Sequence, residues 1–187
     1  MSQNNKPTLH IWLLGDEFVG KTSLACRYNN EQYSGKYRKT IGAEIFRKDL
    51  NLNDNLVSLV IWDTSGYDGF KKKHTPFLRS ADCCIFVFDV TYRKSFESLN
   101  FWRDEFFLRA EKNPNEFPVA LVGTKIDLEN EREVSKQEAE DWCKSFSIPY
   151  FECSAKDDIN VQEVFEAMTA KLAMKCIPKG IRICNNK

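Results

Sequence analysis

A chain of 187 residues is long enough for one well-buried domain and short for two. Its 27 basic side chains balance 27 acidic ones, which excludes a chain-wide pull toward nucleic acid, and no apolar run approaches the ~20 residues that span a bilayer. Seven cysteines, an odd number with Cys83 and Cys84 adjacent, read as buried thiols of a reducing compartment rather than a disulfide frame. Two histidines, His10 and His74, are too few for most metal sites.

Residues 1–7 are polar, lack a signal-peptide core and read as a flexible N-terminus. LHIWLL (9–14) is an apolar strand ended by Gly15, and residues 21–30 can start a helix at once. Residues 41–52 and 56–63 alternate, and Asn53-Asp54-Asn55 between them predicts an antiparallel hairpin. ADCCIFVFDV (81–90) and PVALVGT (118–124) are apolar throughout, as central parallel strands are. Helices are predicted over 95–112, with Phe96, Leu99, Trp102 and Phe106 near one face, and over 135–147. PYFECSA (149–155) is the last strand. Val161, Val164, Phe165, Met168 and Leu172 then form one helical stripe. This order predicts an α/β doubly wound, mostly parallel six-stranded sheet with one antiparallel edge strand and helices on both faces. Such sheets bind ligands at the carboxyl ends of their strands.

The loops at those ends carry the unusual residues. GDEFVGKTS (15–23) fits the phosphate-loop pattern G-x-x-x-x-G-K-[ST] between a strand and a helix. Its backbone N–H groups and the helix N-terminus suit phosphate oxygens, Lys21 suits the β- and γ-phosphates, and the Thr22 hydroxyl suits Mg²⁺. Gly15, Asp16, Glu17, Phe18, Val19, Gly20, Lys21, Thr22 and Ser23 are therefore candidate nucleotide contacts. WDTSG (62–66) adds Asp63, which can hold Mg²⁺ through water, and Gly66, whose N–H can approach a γ-phosphate. GTKIDL (123–128) offers Asp127, one carboxylate for the two adjacent donors of guanine, which adenine lacks. Lys125 can lay its stem along the base. ECSAK (152–156) supplies N–H groups that can reach a base carbonyl. Each loop after the first is weak alone; their order and spacing are not.

Over residues 8–175 the chain resembles the small GTPases of the Ras superfamily, and TIGAEI (40–45), IWDTSG (61–66) and FVFDVTYRKSFESLNFW (86–102) resemble its Rab branch. There is no helical insertion between Asp127 and the helix at 135, unlike the Rho branch, although TKID with threonine first is a variant that branch uses. The resemblance implies GTP or GDP with Mg²⁺, the metal held by Thr22, Thr40 and Asp63, with Lys21 and Thr40 serving hydrolysis. It makes Tyr33 an aromatic packed on guanine and Tyr37 a cover over the phosphates. Thr124, Lys125, Asp127, Ser154, Ala155 and Lys156 fall in base-site positions. It implies protein regulators and effectors meeting switch segments 33–45 and 63–80, and no nucleic acid.

Two catalytic positions depart from the pattern. Tyr67 stands where the family has a water-orienting glutamine, and a phenol has the wrong reach and one oxygen. Glu17 stands where the family has glycine or a small residue, and sets a carboxylate against the γ-phosphate. Phe18 adds bulk to the same loop. The tail 176–187 ends CNNK, a poor prenylation box, so peripheral membrane association is left open for an otherwise cytoplasmic protein. After Glu166 come Lys171, Lys175, Lys179, Arg182 and Lys187 and no acid, which suits a helix end. The expectation is a switch with impaired hydrolysis. The alternatives are a non-hydrolysing pseudo-GTPase scaffold and an efficient NTPase using another group such as Asp68.

Overall fold

The computed structural model describes residues 6–31, 40–52, 55–66 and 75–176. The elements in chain order are β1 (Thr8–Leu14), α1 (Lys21–Tyr28), β2 (Ala43–Leu52), β3 (Asn55–Thr64), α2 (Thr75–Leu78), β4 (Cys83–Asp89), α3 (Arg93–Glu97), α4 (Leu99–Ala110) and β5 (Val119–Thr124). A 3₁₀ turn (Ile126–Glu131), α5 (Lys136–Phe146), β6 (Tyr150–Cys153) and α6 (Val161–Cys176) complete the described residues. Strand order is β2-β3-β1-β4-β5-β6. The β2–β3 hairpin is antiparallel and puts β2 on an edge; the other pairings are parallel. This is the expected mixed sheet, and it suits the phosphate-loop GTPase fold.

Alternation along each strand divides the core into two layers. Ile11 and Leu13 of β1, with Ile85 and Val87 of β4, face a cluster built with Leu24 of α1 and Val164, Phe165, Met168 and Leu172 of α6. Trp12, Leu14, Phe86 and Phe88 face the opposite cluster, with Leu99, Trp102 and Phe106 of α4 and Ala139 and Cys143 of α5. Burying each large side chain contributes roughly 1.5–3 kcal/mol, so both stripes read from the sequence are core. Ser135 caps α5 by accepting from Glu138 N at 3.2 Å.

The predicted helix over 95–112 is instead two, and they start at Arg93. Tyr92 precedes them with extended backbone, and the break falls at Ser98. Ser98 Oγ donates to the Asp16 carboxylate at 2.7 Å, so a contact 82 residues away intervenes where periodicity shows one continuous stripe. The last strand stops at Cys153, because Ser154 and Ile159 exchange backbone bonds of 3.1 and 2.9 Å that turn the chain away. The α2 and 3₁₀ turns had no sequence counterpart. Among the described residues, no helix is long and apolar enough to cross a membrane.

Candidate functional site

The loops after β1, β3, β5 and β6 gather at one end of the sheet. The first turns sharply at Gly15, whose φ of +149° and position leave no room for a side chain. A Cβ there would lie 2.1 Å from the Val87 carbonyl oxygen. Gly20 precedes α1 with no side-chain cap, so the first N–H groups of the helix face the loop without a side-chain acceptor, an arrangement suited to an anion. Lys21 is buried, and its Nζ donates to the carbonyl oxygens of Gly15 (2.9 Å) and Asp16 (2.6 Å). Burial lowers its pKa to about 8, while the carboxylates of Asp63, Asp16 and Glu17 pull the other way. Glu17 therefore acts electrostatically at Lys21. Ser23 lies in the first turn of α1.

Phe18 holds a left-handed backbone, φ +66°, and is 59% exposed. Its bulk is thus largely turned to solvent, at a conformation that costs a non-glycine residue about 1–2 kcal/mol. Val19 is buried, and its carbonyl accepts from Thr124 Oγ1 at 2.5 Å, tying the first loop to the end of β5. The Asp16 carboxylate turns toward α4, where Ser98 Oγ (2.7 Å) and Trp102 Nε1 (2.6 Å) donate to it. Asp16 can meet a phosphate through its backbone; its side chain is engaged as an anchor.

Thr22, Thr40 and Asp63 come together as the sequence suggested. Asp63 Oδ2 accepts from Thr22 Oγ1 at 2.6 Å and Thr40 Oγ1 at 3.2 Å, and the two hydroxyls are 2.9 Å apart. Asp63 is fully buried, and burial raises its carboxyl pKa against the opposing Thr22 hydrogen bond and Lys21 charge. Its Oδ1 is buried with no hydrogen-bond partner. Hydroxyl and carboxylate oxygens, one of them orphaned, suit a hard cation such as Mg²⁺ that keeps waters or phosphates in its remaining positions. Among the described residues no group of three or more His, Cys, Asp or Glu could hold a metal by itself.

Gly66 sits against this loop. A Cβ on it would fall 2.1 Å from Glu17 N and 2.3 Å from the Asp16 carbonyl carbon. Gly66→Ala is expected to cost about 1–3 kcal/mol of unfolding free energy in denaturant melts, the range for forced overpacking. An unchanged midpoint and slope would show that residue 66 does not seat there.

At the opposite side of the cleft, Asp127 Oδ1 accepts from Ser154 Oγ at 2.7 Å, and Lys156 Nζ lies 3.6 Å from Oδ2. Thr124 is buried between Val19 O and Phe88 O, 3.0 Å from the latter. Lys125 has φ +63°, and its Nζ pairs with Asp89 Oδ2 at 2.5 Å. Asp89 is itself fixed by Thr91 N (2.8 Å) and Thr91 Oγ1 (2.7 Å). The sequence reading missed Asp89, Ser98 and Trp102. Asp89 had a signal, an acid ending a wholly apolar strand. Tyr33, Tyr37, Tyr67 and Asp68 lie outside the described residues, so the switch segments are described only over 40–45, 63–66 and 75–80.

Residues 10–174 match the family model described as Ras family. The chain is 45% identical over 177 residues to the Ras-related protein Rab-7a of Dictyostelium discoideum, covering 94% of this chain and 87% of that protein. It is 45% identical to the Ras-related protein Rab7 of Drosophila melanogaster over 94% of this chain and 84% of the relative. It is 46% identical to the Ras-related protein RABG3b of Arabidopsis thaliana over 93% and 87%. With this likeness running almost end to end, on a sheet that gathers the motif loops at one edge, the chain belongs to the Rab branch of the Ras superfamily of small GTPases.

Proposed function

We propose that the chain is a Rab7-like guanine-nucleotide switch with impaired intrinsic GTP hydrolysis, working in membrane traffic or signalling. The convergence of Thr22 and Thr40 on the buried Asp63 carboxylate, beside Lys21, carries this reading. The phosphates lie along the backbone of 15–20 and the start of α1. Lys21 exchanges its two carbonyl partners for β- and γ-phosphate oxygens. Thr22, Thr40 and Asp63 would hold Mg²⁺, which when bound neutralises phosphate charge. Asp127 accepts from the ring N–H and exocyclic amine of guanine, and the N–H groups of Ala155 and Lys156 reach the base carbonyl. The family resemblance assigns Tyr33 to the base and Tyr37 to the phosphates. Regulators and effectors read segments 33–45 and 63–80.

Hydrolysis asks a residue to orient the attacking water. An amide does so by donating and accepting together; the phenol of Tyr67 cannot reproduce that from the same place. Glu17, whose charge already acts on Lys21, adds negative potential where negative charge must build. The same departures favour the second reading, a non-hydrolysing pseudo-GTPase scaffold that holds nucleotide constitutively or not at all. Nucleotide extracted from the purified protein separates the two from a fast enzyme: retained GTP supports slow hydrolysis, bound GDP supports turnover, none supports a pseudo-GTPase. Single-turnover rates are expected at or below about 10⁻⁴ s⁻¹. Glu17→Gly with Tyr67→Gln should raise them more than either change alone, because both act at one place. A fast parent slowed by Tyr67→Gln would overturn the reading.

A further inference from the structure

We propose that Arg27 is a positioning residue for recognition of the guanine 6-oxo group, an inference that rests on the base-site reading above. Arg27 stands in the last turn of α1, where a cation ordinarily serves the helix dipole. Its guanidinium does something more specific. Nε donates to the Ala155 carbonyl at 2.8 Å, and Nη2 donates to the Lys156 carbonyl at 3.1 Å. One rigid fork thus grips two successive peptide groups 128 and 129 residues away.

A peptide unit is planar, so fixing the Ala155 carbonyl also fixes the Lys156 N–H on its other side. Two adjacent planes held together leave the loop little freedom to rotate its N–H groups. The Lys156 N–H is one of the donors assigned to the base carbonyl, and the N–H of the next plane, Asp157, donates to Ser154 Oγ at 3.0 Å. Ser154 Oγ donates to Asp127 at 2.7 Å and accepts from the Asp157 N–H at 3.0 Å, so the direct hold on the carboxylate edge is the Ser154 hydroxyl rather than the guanidinium. The backbone bridge between Ser154 and Ile159 closes the turn but leaves the carbonyls of 155 and 156 to Arg27. The helix that begins at Lys21 and Thr22, at the phosphate end, therefore ends on the loop that meets the base. Its length of 8 residues sets the spacing between the two.

The test compares GDP with 6-thioguanosine diphosphate, which keeps the ring N–H and the exocyclic amine that face Asp127 and replaces the 6-oxo acceptor with a much weaker sulfur acceptor. Both are titrated with Mg²⁺ onto the full chain and onto Arg27→Ala, Arg27→Gln, Arg27→Lys and Asp127→Ala. Arg27→Ala and Arg27→Gln should lose about tenfold in GDP affinity, the size of one charge-assisted hydrogen bond. Their affinity for the 6-thio nucleotide should stay within about twofold of the parent. Arg27→Lys, with one nitrogen for two carbonyls, should fall between. Equal losses for both nucleotides would overturn the inference, because a merely structural role weakens every ligand alike. So would full retention of GDP. Asp127→Ala should weaken both nucleotides; if it weakens neither, the base-site reading fails, and that failure is distinct from a failure at Arg27.

Discussion

Asp127→Asn is expected to lower GDP affinity about ten- to a hundredfold while leaving the far weaker binding of ADP unchanged. The parent carboxylate has a side chain only 8% exposed, with one oxygen engaged by Ser154 and Lys156 near the other. An ionised carboxylate can accept from two adjacent donors at once. The amide that replaces it keeps one acceptor and turns an N–H₂ toward a base donor. One charge-assisted bond is lost and a buried donor is left without an acceptor, worth roughly 1–3 kcal/mol. Adenine has no such donor pair, so ADP gains nothing from the acid and loses nothing with it. Titration calorimetry or a fluorescent nucleotide measures both affinities. Equal GDP affinity in variant and parent would remove Asp127 from the base site.

Asp63→Asn is expected to uncouple nucleotide affinity from magnesium. In the parent, chelating Mg²⁺ with EDTA should speed nucleotide release; in the variant the loss of Mg²⁺-dependent affinity should be on the order of 10–100-fold, the cost of removing a group that holds a metal through its water. The same change should make the nucleotide-free protein more stable to denaturant. Asp63 is fully buried, and burial is the largest influence on its raised pKa. A charge held there without metal is therefore a cost, relieved by a neutral isostere whose Oδ1 can still accept from Thr22 and Thr40. The sign follows from linkage. With the folded pKa above the unfolded one, the folded state binds more protons, so the parent loses stability as pH rises from the ordinary aspartate value through the raised one. The asparagine variant should lack that loss. If EDTA leaves release unchanged and the variant is no more stable, Thr22, Thr40 and Asp63 form a hydrogen-bonded cluster and nothing more.

The sequence by itself determined the layers and the ends. Wholly apolar runs such as CCIFVFD can only be strands covered on both faces, and the stripe Val161–Leu172 can only be a helix laid on one of them. The alternating pair at 41–52 and 56–63 carried the antiparallel edge. The phosphate-loop spacing, with acids at the end of β3 and after β5, marked where the loops must meet. These signals are local: burial repeats every two residues in a strand and every three or four in a helix, so the chain records it in its own order. Strand order, the break at Ser98, the turn of Asp16 toward Trp102, the pairing of Asp89 with Lys125 and the grip of Arg27 on the 155–156 carbonyls were decided only by tertiary structure. Each is a hydrogen bond or ion pair, or a packing order, between segments far apart in the chain. Such a contact needs one suitable atom at each end and imposes no repeat on the residues between, so it leaves no trace for periodicity to report.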